Sequence, residues 1–179
     1  MPEGYCFGEI ISGRFPQSVS IMYRKQMVPN DIYEILKPQY KMGDYPLYLY
    51  LADIGKFKYI SESTCVYRKN NESASGKLGE NYLKNINFIS SCREVLSDFT
   101  KKRETVDKDL LQKIEAQLQH WLLTSFSMSL QNYNTNLAKD LWIEIKENRT
   151  PTPFKYQLLH KSMYLGVLGK GLINSYYKK

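Results

Sequence analysis

The sequence predicts an α/β to α+β fold in two parts: a partial sheet with flanking helices over residues 1–75, and an all-α C-terminal helical extension over residues 76–179. One observation behind this is that short stretches of the first part alternate small and apolar side chains, as half-buried strands do. The other is that beyond the polar stretch 69–76 apolar residues recur every three or four positions, as in amphipathic helices. We therefore place the boundary between the parts at this stretch.

The first part is expected to contain three strands and two helices. Strands are predicted at 18–23, 57–60 and 64–68, and helices at 30–36 and 44–54. The longer helix has the clearest ends, because Asp44 and Pro46 suit a first turn and Gly55 suits the position just after a helix.

The second part is expected to contain four helices. The strongest apolar stripe belongs to the second of them and comprises Leu110, Ile114, Leu118, Trp121 and Leu122. The fourth helix is predicted to follow Thr152 and Pro153, since a capping residue followed by proline is a common helix start. Short loops join these helices, so neighbours are expected to pack antiparallel.

The overall composition is that of an ordinary globular protein, with 42% hydrophobic and 24% charged residues in 179. No apolar run reaches the length of about 18 residues that a membrane-spanning helix needs, and the first residues lack the pattern of a signal peptide. Cys6, Cys65 and Cys92 have no metal-ligand spacing. They are interpreted as reduced thiols, which favours a cytoplasmic location.

Asp44 has two interpretations on local sequence. Aspartate is a preferred residue at a helix N-terminus, because its oxygen accepts a hydrogen bond from a free N–H group of the first turn. The same carboxylate could also act as a general base that removes a proton from an attacking hydroxyl. The two roles are compatible, since a capping carboxylate can keep its second oxygen free.

Three short blocks occur in a recognisable order: 18–25, which ends in Tyr-Arg-Lys; 43–47, which contains Gly-Asp-Tyr-Pro-Leu; and 65–68, Cys-Val-Tyr-Arg. In this order and spacing they resemble the acceptor half of a family 2 glycosyltransferase of the GT-A fold. The resemblance covers roughly residues 7–75 and implies that the predicted strands form part of a GT-A sheet.

The resemblance implies that Asp44 is the catalytic base in an inverting transfer from a nucleotide-sugar donor to a hydroxyl of a glycan acceptor. It also implies donor or acceptor contacts for Gly43, Tyr45, Arg68 and Asn70. A divalent cation, Mn²⁺ or Mg²⁺, is implied for a complete family member and none for this chain alone. The nucleotide-binding half would precede residue 1, so the chain alone is expected to be inactive.

The only Asp-x-Asp sequence, Asp107-Lys108-Asp109, is interpreted as the start of a helix rather than a metal site. Acidic residues in a first turn interact favourably with the helix dipole. A metal motif of the resembled family would follow an apolar strand instead.

The 149–179 segment holds six of the 25 basic residues and none of the 18 acidic ones, so it accounts for almost all of the net charge of +7. Apolar residues are interleaved with these cations. Two interpretations stay open: a helix that packs on the bundle, or a non-catalytic interaction module whose tail contacts an anionic membrane peripherally. Nucleic acid is not expected, because no recognition motif is present. The exposed sheet edges are expected either to pair in a homodimer or to be covered by the chain's own helices.

Overall fold

The computed structural model describes residues 4–13, 18–30, 32, 35–63, 65–66, 81–103, 106–148 and 151–177. Helices dominate these residues. They are α1 (Phe7–Ile11), α2 (Asp44–Ile54), α3 (Tyr82–Lys101), α4 (Lys108–Gln131), α5 (Thr135–Glu147), α6 (Phe154–Ser162) and α7 (Gly166–Tyr177), with 3₁₀ turns at Ser18–Ser20 and Lys25–Met27.

The predicted α/β to α+β fold with a partial GT-A sheet is wrong, because the described residues are helical and form no sheet. The stretch 18–23 begins with a 3₁₀ turn. From 57–60 only Phe57 pairs, in an isolated antiparallel bridge with Gly4 whose two N···O distances are both 2.8 Å. Of the predicted strand 64–68, Cys65 and Val66 are described and have no regular structure.

The alternation of small and apolar residues in 18–23 does not correspond to one buried side. Ile21 packs against buried residues of the helices, whereas Val19 is 52% exposed and Tyr23 is 47% exposed, although all three lie on the same side of the predicted strand. Alternation over six residues therefore does not require a strand. Because the described residues form no sheet, a dimer through a sheet edge is no longer supported.

The helical predictions are confirmed for α2, α3, α4 and α5. Capping side chains account for three of the starts: Asn81 accepts from two N–H groups of α3, Asp107 from Leu110, and Asn134 from Leu137. The fourth predicted helix corresponds to α6, and a turn at 163–165 separates it from a further helix, α7, that was not predicted separately. The proposed boundary at 69–76 lies outside the described residues.

Helix α4 takes part in both hydrophobic clusters of the structure. Its first half contributes Ile114 to a cluster with α1, α2 and α3, whose fully buried members include Ile10, Tyr48 and Leu96. Its second half contributes Leu122, Phe126 and Leu130 to a cluster with α5, α6 and α7. No helix among the described residues is long and apolar enough to cross a membrane.

The corner between α6 and α7 depends on close backbone contact. Gly169 is buried, and a Cβ atom built on it would overlap the carbonyl oxygen of Ser162. Ser162 is itself 2% exposed, and its hydroxyl donates to the carbonyl of Leu159 at 2.6 Å. The two helices can therefore approach this closely only because residue 169 has no side chain.

We expect Gly169→Ala to destabilise the protein by about 1–3 kcal/mol, the usual cost of forcing an extra methyl group into a packed contact. Gly171→Ala is the matched control, because it lies in the same helix with open space at its Cβ position. This control should gain about 0.5–1 kcal/mol from the better helix propensity of alanine. Urea denaturation of both variants checks this, and equal stabilities would contradict the close contact.

Candidate functional site

Asp44 is the first residue of α2 and is half-buried. Its Oδ1 atom accepts a hydrogen bond from the backbone N–H of Tyr45 at 2.9 Å. Gly43 precedes it as the exposed N-cap residue and makes no side-chain contact. The carboxylate thus lies in the first turn of α2, where a helix N-terminus favours negative charge. The N-cap residue is Gly43, so the capping role interpreted for Asp44 is not the one it has.

The other residues that the resemblance implies as substrate contacts do not form a site with Asp44 in the described part of the chain. Tyr45 is 1% exposed and packs edge-on against Trp121, with ring centroids 5.9 Å apart. It belongs to the core, where it cannot reach a substrate. Arg68 and Asn70 lie outside the described residues.

The Cys92 thiol, which senses the charge of Asp44, is held in its unreactive form. Burial and, to a smaller extent, the charge of Asp44 raise the pKa of this thiol to about 12. A thiol with this pKa stays protonated at neutral pH and is a poor nucleophile. Cys92 instead contacts the Met42 sulfur at 3.4 Å, so this region is a packing contact between α3 and the segment before α2.

A cleft of about 290 Å³ lies between α1, the end of α2 and the start of α4. Its charges are largely matched in pairs. Arg103 binds Asp53 at 2.9 Å, and Lys113 binds Asp109 at 2.8 Å. Asp107, also at this cleft, caps α4 as predicted from the sequence. The described residues contain no group of His, Cys, Asp or Glu side chains that could hold a metal ion.

A smaller, mostly apolar slot of about 90 Å³ lies between α2 and α3. At its rim the carboxylate of Asp98 accepts from the hydroxyl of Tyr40 at 3.0 Å and pairs with the ammonium of Lys37. These contacts, the Lys37 hydrogen bond foremost, lower the pKa of Asp98. They fasten the 37–40 segment onto α3. Asp44 lines neither this slot nor the larger cleft.

A different surface combines exposed apolar side chains with exposed cations, and we call it the α6–α7 surface. Its members are Phe154, Lys155, Leu158, Lys161, Tyr164, Leu165, Lys170, Leu172 and Tyr176. Phe154, Leu158 and Lys161 recur at i, i+4 and i+7, so they share one side of α6. Phe154 is 77% exposed, which is unusual for a large aromatic residue.

The opposite sides of both helices pack on the bundle. Leu159 of α6 and Ile173 of α7 are 4% and 5% exposed and belong to the second cluster. The packing interpretation of the 149–179 segment is therefore correct for one side. The other side, which carries Phe154 and Leu158, is open to solvent.

Helix α6 is held against α5 by stacked rings. The imidazole of His160 lies over the indole of Trp142 with centroids 4.3 Å apart and planes 10° apart. Burial lowers the pKa of His160, and the charge of Lys146 lowers it further. Sequence reasoning missed this contact, because a lone histidine carries no signal of a ring on another helix.

Helix α7 is held near the C-terminal end of α4 by the turn between α4 and α5. Tyr133 has φ of 55°, a left-handed conformation that is uncommon for a residue with a side chain. Its hydroxyl donates to Asn174 Oδ1 at 2.5 Å, and the ammonium of Lys170 lies 5.6 Å from its ring centre. Tyr133 thus links the α4–α5 turn to the α6–α7 surface.

We expect Asp44→Asn to leave the free energy of unfolding within about 0.5 kcal/mol of the parent, because the amide oxygen can still accept from Tyr45. Asp44→Ala should cost about 0.5–1 kcal/mol, since it removes both the hydrogen bond and the charge at the helix N-terminus. Chemical denaturation at neutral pH measures both. An alanine variant as stable as the parent would remove the structural role of Asp44.

His160 predicts a pH dependence of stability. Its folded-state pKa is lowered from the ordinary 6.5, so the unfolded chain binds this proton more tightly than the folded one. Its contribution to stability is complete above pH 6.5 and is lost as the pH falls below that value. Thermal melting should show Tm falling between about pH 7.5 and 5.5, and His160→Gln should flatten this fall.

His120→Gln is the matched control for this measurement. It replaces the other of the two histidines, which is exposed on α4. We expect its pH profile to follow that of the parent. A steep fall that persists in the His160 variant would assign the titration to another group.

No protein-family model, no curated protein and no solved structure matches this chain. The resemblance to family 2 glycosyltransferases therefore rests on its three short sequence blocks alone.

Proposed function

We propose that this protein is a helical interaction module that binds the surface of an anionic membrane through the α6–α7 surface. One observation carries the proposal: exposed Phe154, Leu158 and Leu165 are interleaved with exposed lysines in a segment that contains no acidic residue. An interfacial helix needs this combination, because apolar groups enter the headgroup boundary while cations meet lipid phosphates and carboxylates. Such a protein would be peripheral to the cytoplasmic face of the membrane.

The magnitudes favour reversible, salt-dependent binding. Each lysine close to an anionic surface contributes about 1 kcal/mol of attraction. Lys155, Lys161 and Lys170 are all exposed on the α6–α7 surface, and Lys139 of α5 lies 5.8 Å from the Tyr164 ring centre beside them. Burial of apolar area adds about 25 cal/mol per Å². The binding free energy from charge and apolar contact together is larger than that from either alone.

The surroundings of Asp44 give less support to a glycosyltransferase. The sheet that would place a base beside a donor is absent from the described residues, and Tyr45 is buried. Transfer of a sugar by a longer form of this protein stays a prediction from the sequence blocks. Nucleic acid also fits less well, because aliphatic side chains such as Leu158 and Leu165 gain little from contact with a phosphate backbone.

We expect the protein to co-sediment with phosphatidylcholine vesicles that contain phosphatidylserine, and not with vesicles of phosphatidylcholine alone. Leu158→Ser combined with Lys161→Ser should weaken this binding at least about tenfold, since the pair removes one apolar group and one cation. Raising the salt concentration should weaken it as well, because surface charges are screened over about 8–10 Å at physiological ionic strength.

Leu111→Ser combined with Lys84→Ser is the matched control. Both residues are exposed on other helices, so the same chemical change is made outside the α6–α7 surface. Vesicle binding by this control should equal that of the parent. Equal loss in both double variants, or binding that ignores phosphatidylserine, would contradict the proposal.

A further inference from the structure

His160 lies in a row of aromatic rings that joins α5 to the α6–α7 surface. Its imidazole stacks on Trp142 of α5 at 4.3 Å and meets the ring of Tyr164 edge-on, with ring centroids 5.4 Å apart. Tyr164 is 63% exposed and belongs to the α6–α7 surface. The imidazole is half-buried. It therefore lies directly behind a side chain that would meet a membrane.

Ammonium groups lie at both ends of this row. Lys146 Nζ is 5.3 Å from the Trp142 ring centre, and Lys139 Nζ is 5.8 Å from the Tyr164 ring centre. The residue after His160 on α6 is Lys161, which is an exposed cation. A proton on His160 would therefore place a fourth positive charge among three others.

The acidic residues of α5 are turned away from the stack. Lys139 and Lys146 are three residues before and four residues after Trp142, so they share its side of the helix. The acids are two or five residues from Trp142, which directs them toward other sides of α5. They are Asp140, Glu144 and Glu147. Among them, Glu144 pairs with Arg93 of α3.

The other elements packed around α6 bring no acid either. Residues 119–131, the second half of α4, contain His120 as their one ionisable side chain. Helix α7 contributes Lys170 and two tyrosines, and the whole 149–179 segment has no Asp or Glu. Burial and, to a smaller extent, Lys146 lower the pKa of His160 accordingly. These elements thus offer a protonated His160 no carboxylate as a partner.

An anionic membrane at the α6–α7 surface would supply this missing negative charge. Lipid headgroups in contact with Tyr164 and Lys161 lie one ring from the imidazole, a separation of 5.4 Å between ring centroids. Charges interact over about 8–10 Å at physiological ionic strength, so the headgroups are close enough to stabilise the imidazolium. The negative surface potential of such a membrane, about −30 mV, also raises the local proton concentration.

We propose that His160 makes membrane binding by the α6–α7 surface sensitive to pH, because its protonation and the binding of anionic lipid favour each other. This inference rests on the proposed function, since it concerns the regulation of that same surface. The coupling is reciprocal by thermodynamic linkage. A proton that tightens lipid binding is therefore taken up more readily when lipid is bound.

The first test measures the affinity for phosphatidylserine-containing phosphatidylcholine vesicles at pH 7.5 and pH 5.5 by co-sedimentation. The parent should bind roughly three- to fivefold more tightly at pH 5.5, since one further cation near an anionic surface is worth about fivefold. His160→Phe keeps a ring that can stack on Trp142 but has no proton to gain. This variant should bind equally at both pH values, with the affinity that the parent has at pH 7.5.

His120→Gln is the matched control, because it removes the other histidine of the chain and leaves His160 in place. It should keep the full pH dependence of the parent. Circular dichroism and Tm at both pH values verify that each variant is folded.

Proton uptake is a second readout, which a merely structural role of His160 would not change. The parent is mixed with the vesicles in weakly buffered solution near pH 6.5, the ordinary pKa of histidine. It should take up part of a proton per bound molecule, which an indicator dye detects as a rise in pH. The His160→Phe variant should take up measurably less.

The inference and the proposed function fail in different ways. Parent affinity that is equal at the two pH values, or a pH dependence that persists in His160→Phe, overturns the inference and leaves the proposed function in place. If the parent binds the vesicles at neither pH, or if Leu158→Ser with Lys161→Ser binds like the parent, the α6–α7 surface is not a lipid site. Both the proposed function and the inference are then overturned.

Discussion

The structure depends on α4 serving two hydrophobic clusters at once. At 24 residues it is the longest helix in the described part of the chain, and neither cluster is complete without it. Ile114 belongs to the cluster with α1, α2 and α3, while Phe126 belongs to the cluster with α5, α6 and α7. Since most of the stability of a helix in a protein comes from tertiary packing of its apolar face, packing at both halves maintains α4. The two parts of the chain are coupled through this helix and through the ion pair between Arg93 of α3 and Glu144 of α5.

The second half of α4 is adapted to close packing. Ser125 and Ser129 are buried on α4, and Ala138 is fully buried on α5, so small side chains line this contact. The hydroxyl of Ser129 donates to the carbonyl of Ser125 at 2.9 Å, which satisfies it without a partner on another helix. Room is thereby left for Trp142 to pack on Phe126, with ring centres 5.2 Å apart.

The sequence predicted the helices whose ends and apolar stripe are marked by residues within the helix itself. It missed features that depend on contacts with residues far away in the sequence. Helix α2 was predictable because Asp44 and Gly55 mark its two ends and its apolar residues recur at helical spacing between them. The stretch 18–23 was misassigned because its alternation of small and apolar residues does not correspond to burial: Val19 and Tyr23 are exposed, and of the alternating apolar positions Ile21 alone packs on the helices. For Phe154 and Leu158 the sequence left packing on the bundle and contact with a membrane both open, because apolar residues of an amphipathic helix fit either, and both side chains are exposed in the structure. The Trp142–His160 stack joins two helices and has no local signature at all.

The two tryptophans of the chain are divided between the two clusters. Trp121 packs at the edge of the first, against Tyr45. Trp142 lies within the second, between Phe126 and His160. Each half of the molecule therefore carries its own fluorophore in a chemically different environment. Replacement of one indole leaves an optical signal that belongs to the other half alone, so whether the halves unfold together can be observed directly.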